Sequence, residues 1–132
     1  MPYLFDLDGT ITQSNGFGVS RVRIPWPLVW ITLKFYHPPT RKEVVDFMKL
    51  LKENGETIVI ITARPEESRD LTEKYLKKED VPFDELIFVG PGPERIKRKT
   101  DLAEKFEAKR FFDGDREKIK EIRKKGVKAS VI

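Results

Sequence analysis

The sequence predicts an α/β fold: a Rossmann-like, doubly wound parallel sheet of about five strands with helices on both faces. Three observations carry that expectation. Strand-like and helix-like segments alternate along the chain, and such alternation implies parallel strands joined by helical crossovers. The stretch "TIVIIT", Thr57 to Thr62, is a continuous β-branched apolar run, the pattern of a strand covered on both faces. The length of 132 residues, 39% of them hydrophobic, suits one domain with one core. Residues 1–132 are therefore read as a single domain, with no internal repeat, low-complexity tract or linker.

The elements follow in order. The predicted strands are Tyr3–Leu7, Thr57–Thr62, Leu86–Val89, Arg110–Phe112 and Val127–Ile132. "TRKEVVDFMKLLKENG" reads as the first helix, with Thr40 and Glu43 as a capping box and Gly55 as its stop. "PEESRDLTEKYLKKE" is the second helix, with Pro65 near its first turn. "TDLAEKF" is a short third helix, and "REKIKEIRKKG" a fourth that ends at Gly126. In the fourth, Glu117, Glu121 and Lys125 recur every fourth residue, as on a charged outer face.

One segment breaks the rhythm. Residues 11–39 separate the first strand from the first helix and include "IPWPLVWITLKFYHPP", with both tryptophans of the protein. A connection this long inside a compact domain is either functional or structured in itself. It is too short, and too charged at its flanks, for the roughly 20 apolar residues of a membrane span. Its apolar residues, Trp26, Trp30, Ile31, Leu33, Phe35 and Tyr36, need cover. A helix packed over the core edge, a small lid, a membrane-surface patch and a homodimer contact through Trp26–Tyr36 are the readings. The segment is expected to pack near the carboxyl end of the first strand as a small lid or a homodimer contact, the dimer favoured over the lid because two apolar patches can cover each other while the sites stay open.

Composition narrows the function. There is no cysteine, hence no disulfide and no thiolate metal site. Nothing at the N-terminus resembles a signal peptide, so a cytoplasmic location is expected. Charged residues make up 36% of the chain, while Asn and Gln are rare, a profile common in thermophile proteins. Lys and Arg number 26 against 22 Asp and Glu, a net charge of +4 that permits a phosphate-bearing partner without requiring one.

The chemistry gathers at strand ends. "YLFDLDGTIT" ends an apolar strand with Asp6 and Asp8 around Leu7, and Gly9 allows a sharp turn. Buried carboxylates are unfavourable unless they are paired or bind a cation. Thr62 ends the second strand, and Asp113 and Asp115 follow the fourth in "KRFFDGDREK". In a parallel sheet all these groups meet at the carboxyl edge, where ligands bind. Several carboxylate oxygens with an open face suit Mg²⁺, which retains waters and shares phosphate ligands. The lone His37 and the lack of cysteine argue against zinc. Singly, each residue has an ordinary reading as a turn, strand or cap residue, Asp115 above all as a helix N-cap.

"DLDGT" with its apolar lead resembles the first signature of the haloacid dehalogenase-like hydrolase superfamily. "IVIITAR" resembles the second, with its Ser or Thr at a strand end. A basic residue before the fourth strand and an acidic turn after it complete the pattern, which runs from Tyr3 to Ile132 apart from the insertion. The resemblance implies a Mg²⁺-dependent phosphatase with little or no cap domain. Asp6 is then the nucleophile that becomes an aspartyl phosphate, and Asp8 the general acid and base. Mg²⁺ is held by the Asp6 carboxylate, the Asp8 backbone carbonyl and Asp113. Thr62 binds a phosphoryl oxygen, and Lys99, or failing it Lys97, offsets the negative charge. The turn Asp113-Gly114-Asp115 departs from the adjacent acids frequent in that family, so Asp115 acts through a water or only caps its helix.

Physical chemistry agrees with those roles. A carboxylate and a phosphate dianion repel, and cations are needed to bring them together. Covalent catalysis divides one hard displacement in two, and an oxygen leaving group needs a proton. Two alternatives belong to other classes. A receiver-like regulatory domain would carry its phosphoacceptor Asp after the third strand, where this chain reads "FVGPGPE". A non-catalytic relative, kept as a binding module, is opposed by the intact Asp6, Asp8, Thr62 and Asp113. The expected substrate is a phosphate monoester: a nucleotide, a nucleic-acid end or a sugar phosphate.

Overall fold

A computed structural model describes residues 1–13 and 37–132. Its strands are β1 (Tyr3–Asp6), β2 (Ile58–Thr62), β3 (Glu85–Phe88), β4 (Arg110–Asp113) and β5 (Ala129–Val131). They form one parallel sheet in the order β3-β2-β1-β4-β5. Helices α1 (Lys42–Glu53), α2 (Arg69–Lys78), α3 (Arg95–Lys105) and α4 (Arg116–Lys124) lie in the crossovers. This is the doubly wound α/β architecture that the alternating elements predict.

Side-chain alternation explains the layering. Successive residues of a strand face opposite sides. Leu4 packs with Val59, Ile61 and Phe111, and receives Ala103 from α3 and Ile119 and Ile122 from α4. Its neighbour Phe5 turns to the other face, with Ile60 and Phe112, and meets Val44 and Met48 of α1 and Leu76 of α2. Every residue of β2 is buried, as its unbroken apolar run requires.

Register then sets up the carboxyl edge. Phe5 pairs with Phe112, so the next residues, Asp6 and Asp113, leave the sheet side by side. By the same alternation both carboxylates project toward the face covered by α3 and α4.

Three local expectations are corrected. The Thr40–Glu43 capping box does not form: α1 starts at Lys42 without a side-chain cap bond. Thr40 is committed to an antiparallel bridge with Thr12, and Glu43 pairs with Arg41 at 3.1 Å. The bridge has its own bonds, Gln13 N–H to Pro39 O at 2.9 Å and Arg41 N–H to Ile11 O at 2.7 Å, and it joins the two ends of the insertion. The third helix begins at Arg95, well before the predicted Thr100, and so contains both candidate lysines. On α4 the ion pair is Lys120 with Glu117, at 3.4 Å. Residues 14–36, with the Trp26–Tyr36 stretch and the expected lid or dimer contact, lie outside the described residues. Among the described residues no helix is long and apolar enough to cross a membrane.

Candidate active site

The site begins with two turns. After Asp6 the chain folds through Leu7–Ile11 with Gly9 at φ +78°, a left-handed conformation that glycine adopts freely. The turn brings Thr10 back under the end of β1. Its hydroxyl donates to Asp6 Oδ2 at 3.0 Å and accepts the Gly114 N–H at 2.8 Å. Asp113 Oδ1 stands 3.5 Å from the same hydroxyl. A hydroxyl has one proton, and the shorter contact takes it. Gly114 is a spatial requirement: a Cβ there would lie 2.2 Å from Gly9 O. The turns carrying Asp6 and Asp113 are thus pressed together backbone to backbone.

Lys99 supplies the charge. It lies one helical turn from Ala103 on the buried stripe of α3, so its side chain enters the site beside β1. Its Nζ donates to Asp6 Oδ1 at 2.6 Å, with both side chains almost wholly buried. Burial acts to lower the lysine pKa, but Asp6 and then Asp113 outweigh it and the pKa is raised. Lys97, on the outer face of the helix, pairs with Asp101 at 3.1 Å. Of the two lysines, Lys99 is therefore the one brought to the carboxylates.

Asp113 is the strained member. Burial and the adjacent Asp6 charge push its pKa up to about 7. Its Oδ1 accepts the Asp115 N–H at 2.9 Å. Its Oδ2 is buried with no hydrogen-bond partner. Asp115 caps α4 through Oδ1, which accepts the Glu117 N–H at 2.9 Å and the Lys118 N–H at 3.5 Å.

Asp8 belongs to a second cluster. Arg64 grips its carboxylate in bidentate fashion, Nε to Oδ2 at 3.0 Å and Nη2 to Oδ1 at 2.7 Å. Desolvation acts to raise the Asp8 pKa, but the charge and hydrogen bonds of Arg64 outweigh it and lower the value. The guanidinium is itself buried, and Nη1 donates to Thr72 Oγ1 at 3.0 Å. Nη2 also meets His37 Nε2 at 2.8 Å. Burial and then the Arg64 charge lower the His37 pKa to about 4. Thr62 is fully buried at the end of β2, and its Oγ1 accepts the Arg64 backbone N–H at 3.1 Å.

Asp6, Lys99 and Asp113 thus form one contiguous group. Asp8 and Thr62 are joined to each other through Arg64 at the same sheet edge. Three participants escaped sequence reasoning. Thr10 is the last letter of "DLDGT" and looks like an ordinary turn residue. Arg64 follows directly in "TAR", and a charged residue past a strand end reads as solvated. His37 carries no local signal, because its place depends on where the insertion rejoins the fold. Lys99 had a usable signal: Ile96, Lys99 and Ala103 share a stripe at helical spacing, and Lys97 does not.

Among the described residues no cluster of three or more His, Cys, Asp or Glu side chains assembles. A cation here would therefore use the two carboxylates, Asp6 and Asp113, with backbone carbonyl, water or phosphate oxygens, as Mg²⁺ commonly does. The unpartnered Asp113 Oδ2 fits such an ion. A buried carboxylate oxygen without a partner is costly, and more so beside a second carboxylate.

No family model matches the chain, and no curated protein does. Solved structures do. A chain in the structure of the Pnkp1/Rnl/Hen1 RNA repair complex superposes with a TM-score of 0.75 at 19% identity, over 99% of this chain and 42% of that one. A chain in a structure of the Pnkp1/Rnl/Hen1 complex gives 0.75 at 20% identity, over 99% of this chain and 45% of that one. At such identities the likeness shows a shared fold. This chain spans less than half the length of either neighbour.

Proposed function

We propose that the protein is a Mg²⁺-dependent phosphatase of the haloacid dehalogenase-like type, hydrolysing a phosphate monoester through an aspartyl phosphate on Asp6. The observation that carries this reading is the carboxyl-edge group itself. Asp6 is bonded to a buried lysine, and a second carboxylate beside it has an oxygen left without a partner. A purely structural ion pair has no use for the additional buried acid.

The roles follow from position. An Asp6 oxygen attacks phosphorus, and the ester oxygen leaves with a proton from Asp8, which for this half must carry a proton against the Arg64 pair that favours its ionised form. In the second half, Asp8 takes a proton from water, the water oxygen bonds to phosphorus, and the bond to Asp6 breaks with its electrons returning to the carboxylate. Lys99 lowers the repulsion between Asp6 and the incoming dianion. Thr62, through its hydroxyl, binds a phosphoryl oxygen. Asp6 and Asp113 would hold Mg²⁺, which supplies positive charge to the phosphoryl oxygens. Among substrate classes, a nucleic-acid end has the most support: the chain is net basic, and its fold neighbours come from an RNA repair complex.

The test is phosphate release from an aryl phosphate and from an oligonucleotide with a terminal phosphate, with Mg²⁺ or with chelator. Turnover that needs Mg²⁺ and vanishes in Asp6→Asn is expected. Equal rates in the Asn variant would overturn the mechanism.

A further inference from the structure

We propose that His37 is a positioning residue: its ring nitrogen holds the Arg64 guanidinium edge-on to Asp8 and so aims the Asp8 carboxylate. Its catalytic consequence rests on the phosphatase reading above. Among the described residues Arg64 is the only hydrogen-bond partner of the Asp8 side chain, which lies in a turn and is 20% exposed. The direction of Asp8 is therefore set by whatever fixes Arg64.

Two struts fix it. Arginine has five N–H donors in a rigid plane. Two go to Asp8, one to Thr72 and one to His37. Thr72 braces Nη1 from α2, and His37 braces Nη2, the nitrogen that also bonds Asp8 Oδ1. A donor at Nη2 requires an acceptor at Nε2, so the ring proton is on Nδ1, 3.0 Å from Pro38 O. The ring stacks on Tyr75 at 3.3 Å between centroids and 17° between planes. The Tyr75 hydroxyl donates to the same Pro38 carbonyl. Tautomer and ring plane are both held, as a strut demands.

The function of the strut belongs to the hydrolytic half-reaction. There Asp8 must be ionised and aimed at a water, and the Arg64 pair favours both. Loss of the acceptor leaves the rigid guanidinium braced by Thr72 alone, so the whole group can turn and carry Asp8 with it, and the base loses its aim more than the substrate loses its site. Misplacement of a reacting group by about 1 Å can cost about a hundredfold in rate.

Two variants separate acceptor from packing. His37→Gln keeps an acceptor near the Nε2 position but removes the ring. His37→Phe keeps a ring on Tyr75 but removes the acceptor. With an aryl phosphate and Mg²⁺, the Phe variant should lose kcat by about ten- to a hundredfold with KM changed less than about twofold, and should show a burst of phenol as the phosphoenzyme accumulates. The Gln variant should stay close to wild type. A nuclear magnetic resonance signal from the Arg64 side-chain N–H should be protected from exchange in wild type and Gln, and broadened in Phe. Should the Phe variant not fold, His37→Leu gives the same loss of acceptor. Wild-type rate and a protected Arg64 signal without the acceptor would overturn the proposal, as would loss of both in the folded Gln variant. A wild-type protein with no turnover would remove the phosphatase reading, while the Arg64 signal still decides whether His37 holds the guanidinium.

Discussion

At the scale of single residues, the chemistry turns on two acids held close together in the interior. Two buried carboxylates, Asp6 and Asp113, stand side by side: the Lys99 ammonium is bonded to Asp6, while Lys118 and Lys99 act on Asp113 through charge and do not offset its burial and the Asp6 charge. Asp113 carries the consequence as a pKa raised from 3.8 to about 7. Between those values the folded state keeps a proton that the unfolded state has lost, so stability falls as pH rises. The benefit is full below about 4 and gone above about 7, with a slope of at most about 1.4 kcal/mol per pH unit from this group. His37, lowered to about 4, contributes with the opposite sign as pH rises, so the Asp113 contribution is read by difference: in chelator, the melting temperature of wild type relative to Asp113→Asn should fall from pH 5 to pH 8. Mg²⁺ should raise the melting temperature more at pH 8, where the proton no longer competes for Asp113. Melting that ignores Mg²⁺ at both pH values would argue against a cation between these acids. The nucleophile is checked separately: Asp6→Asn should lower kcat by about three orders of magnitude or more, read as phosphate release by freshly purified protein.

Between elements, the decisive contact is turn on turn. The Leu7–Ile11 turn and the turn after β4 meet where Gly114 has no side chain, and the Thr10 hydroxyl links Asp6 to the Gly114 amide. Arg41 braces the same place through Thr10 O at 3.3 Å and Ile132 O at 3.0 Å. Gly114→Ala would place a methyl 2.2 Å from Gly9 O, and backbone on that side cannot rotate away as a side chain does. The variant should lose about 1–3 kcal/mol in denaturant unfolding. Because the shift separates Asp6 from Asp113, it should also raise the Mg²⁺ concentration needed for half-maximal turnover. An unaltered Mg²⁺ requirement in the destabilised variant would mean that the spacing of the turns does not govern the cation.

For the molecule as a whole, the sheet is a partition. Ile60 belongs to the layer of α1 and α2, and Ile119 to the layer of α3 and α4. Ile60→Val and Ile119→Val should each cost about 1 kcal/mol. Their costs should add within about 0.5 kcal/mol, since no packed neighbour is shared. Denaturant midpoints of the two single variants and the double variant measure this, and strong coupling would show that strain crosses the sheet. The strand order has a functional consequence too. β1 is central between β2 and β4, so the "DLDGT" turn, the Thr62 end and the Asp113 turn reach one edge from three neighbouring strands.

What the chain alone determines is whatever depends on local pattern. The unbroken apolar run of β2 requires burial on both faces, and the alternation of strand and helix requires parallel crossovers. From those two facts the gathering of Asp6, Thr62 and Asp113 at the carboxyl edge already follows. What only the tertiary structure decided depends on register, reach and competition for backbone. Phe5 opposite Phe112 puts Asp6 beside Asp113, and no local rule states that pairing. The preference for Lys99 over Lys97 is legible in the stripe of Ile96, Lys99 and Ala103, but its reach to Asp6 Oδ1 at 2.6 Å depends on where α3 lies against β1. The Thr40 cap failed because its backbone was taken by Thr12 across the neck of the insertion. Arg64, Thr72 and His37 come from separate segments of the chain, and a buried guanidinium shared among them has no periodicity to betray it. Charged groups read as solvated until the fold removes the water, and only then does each need a partner.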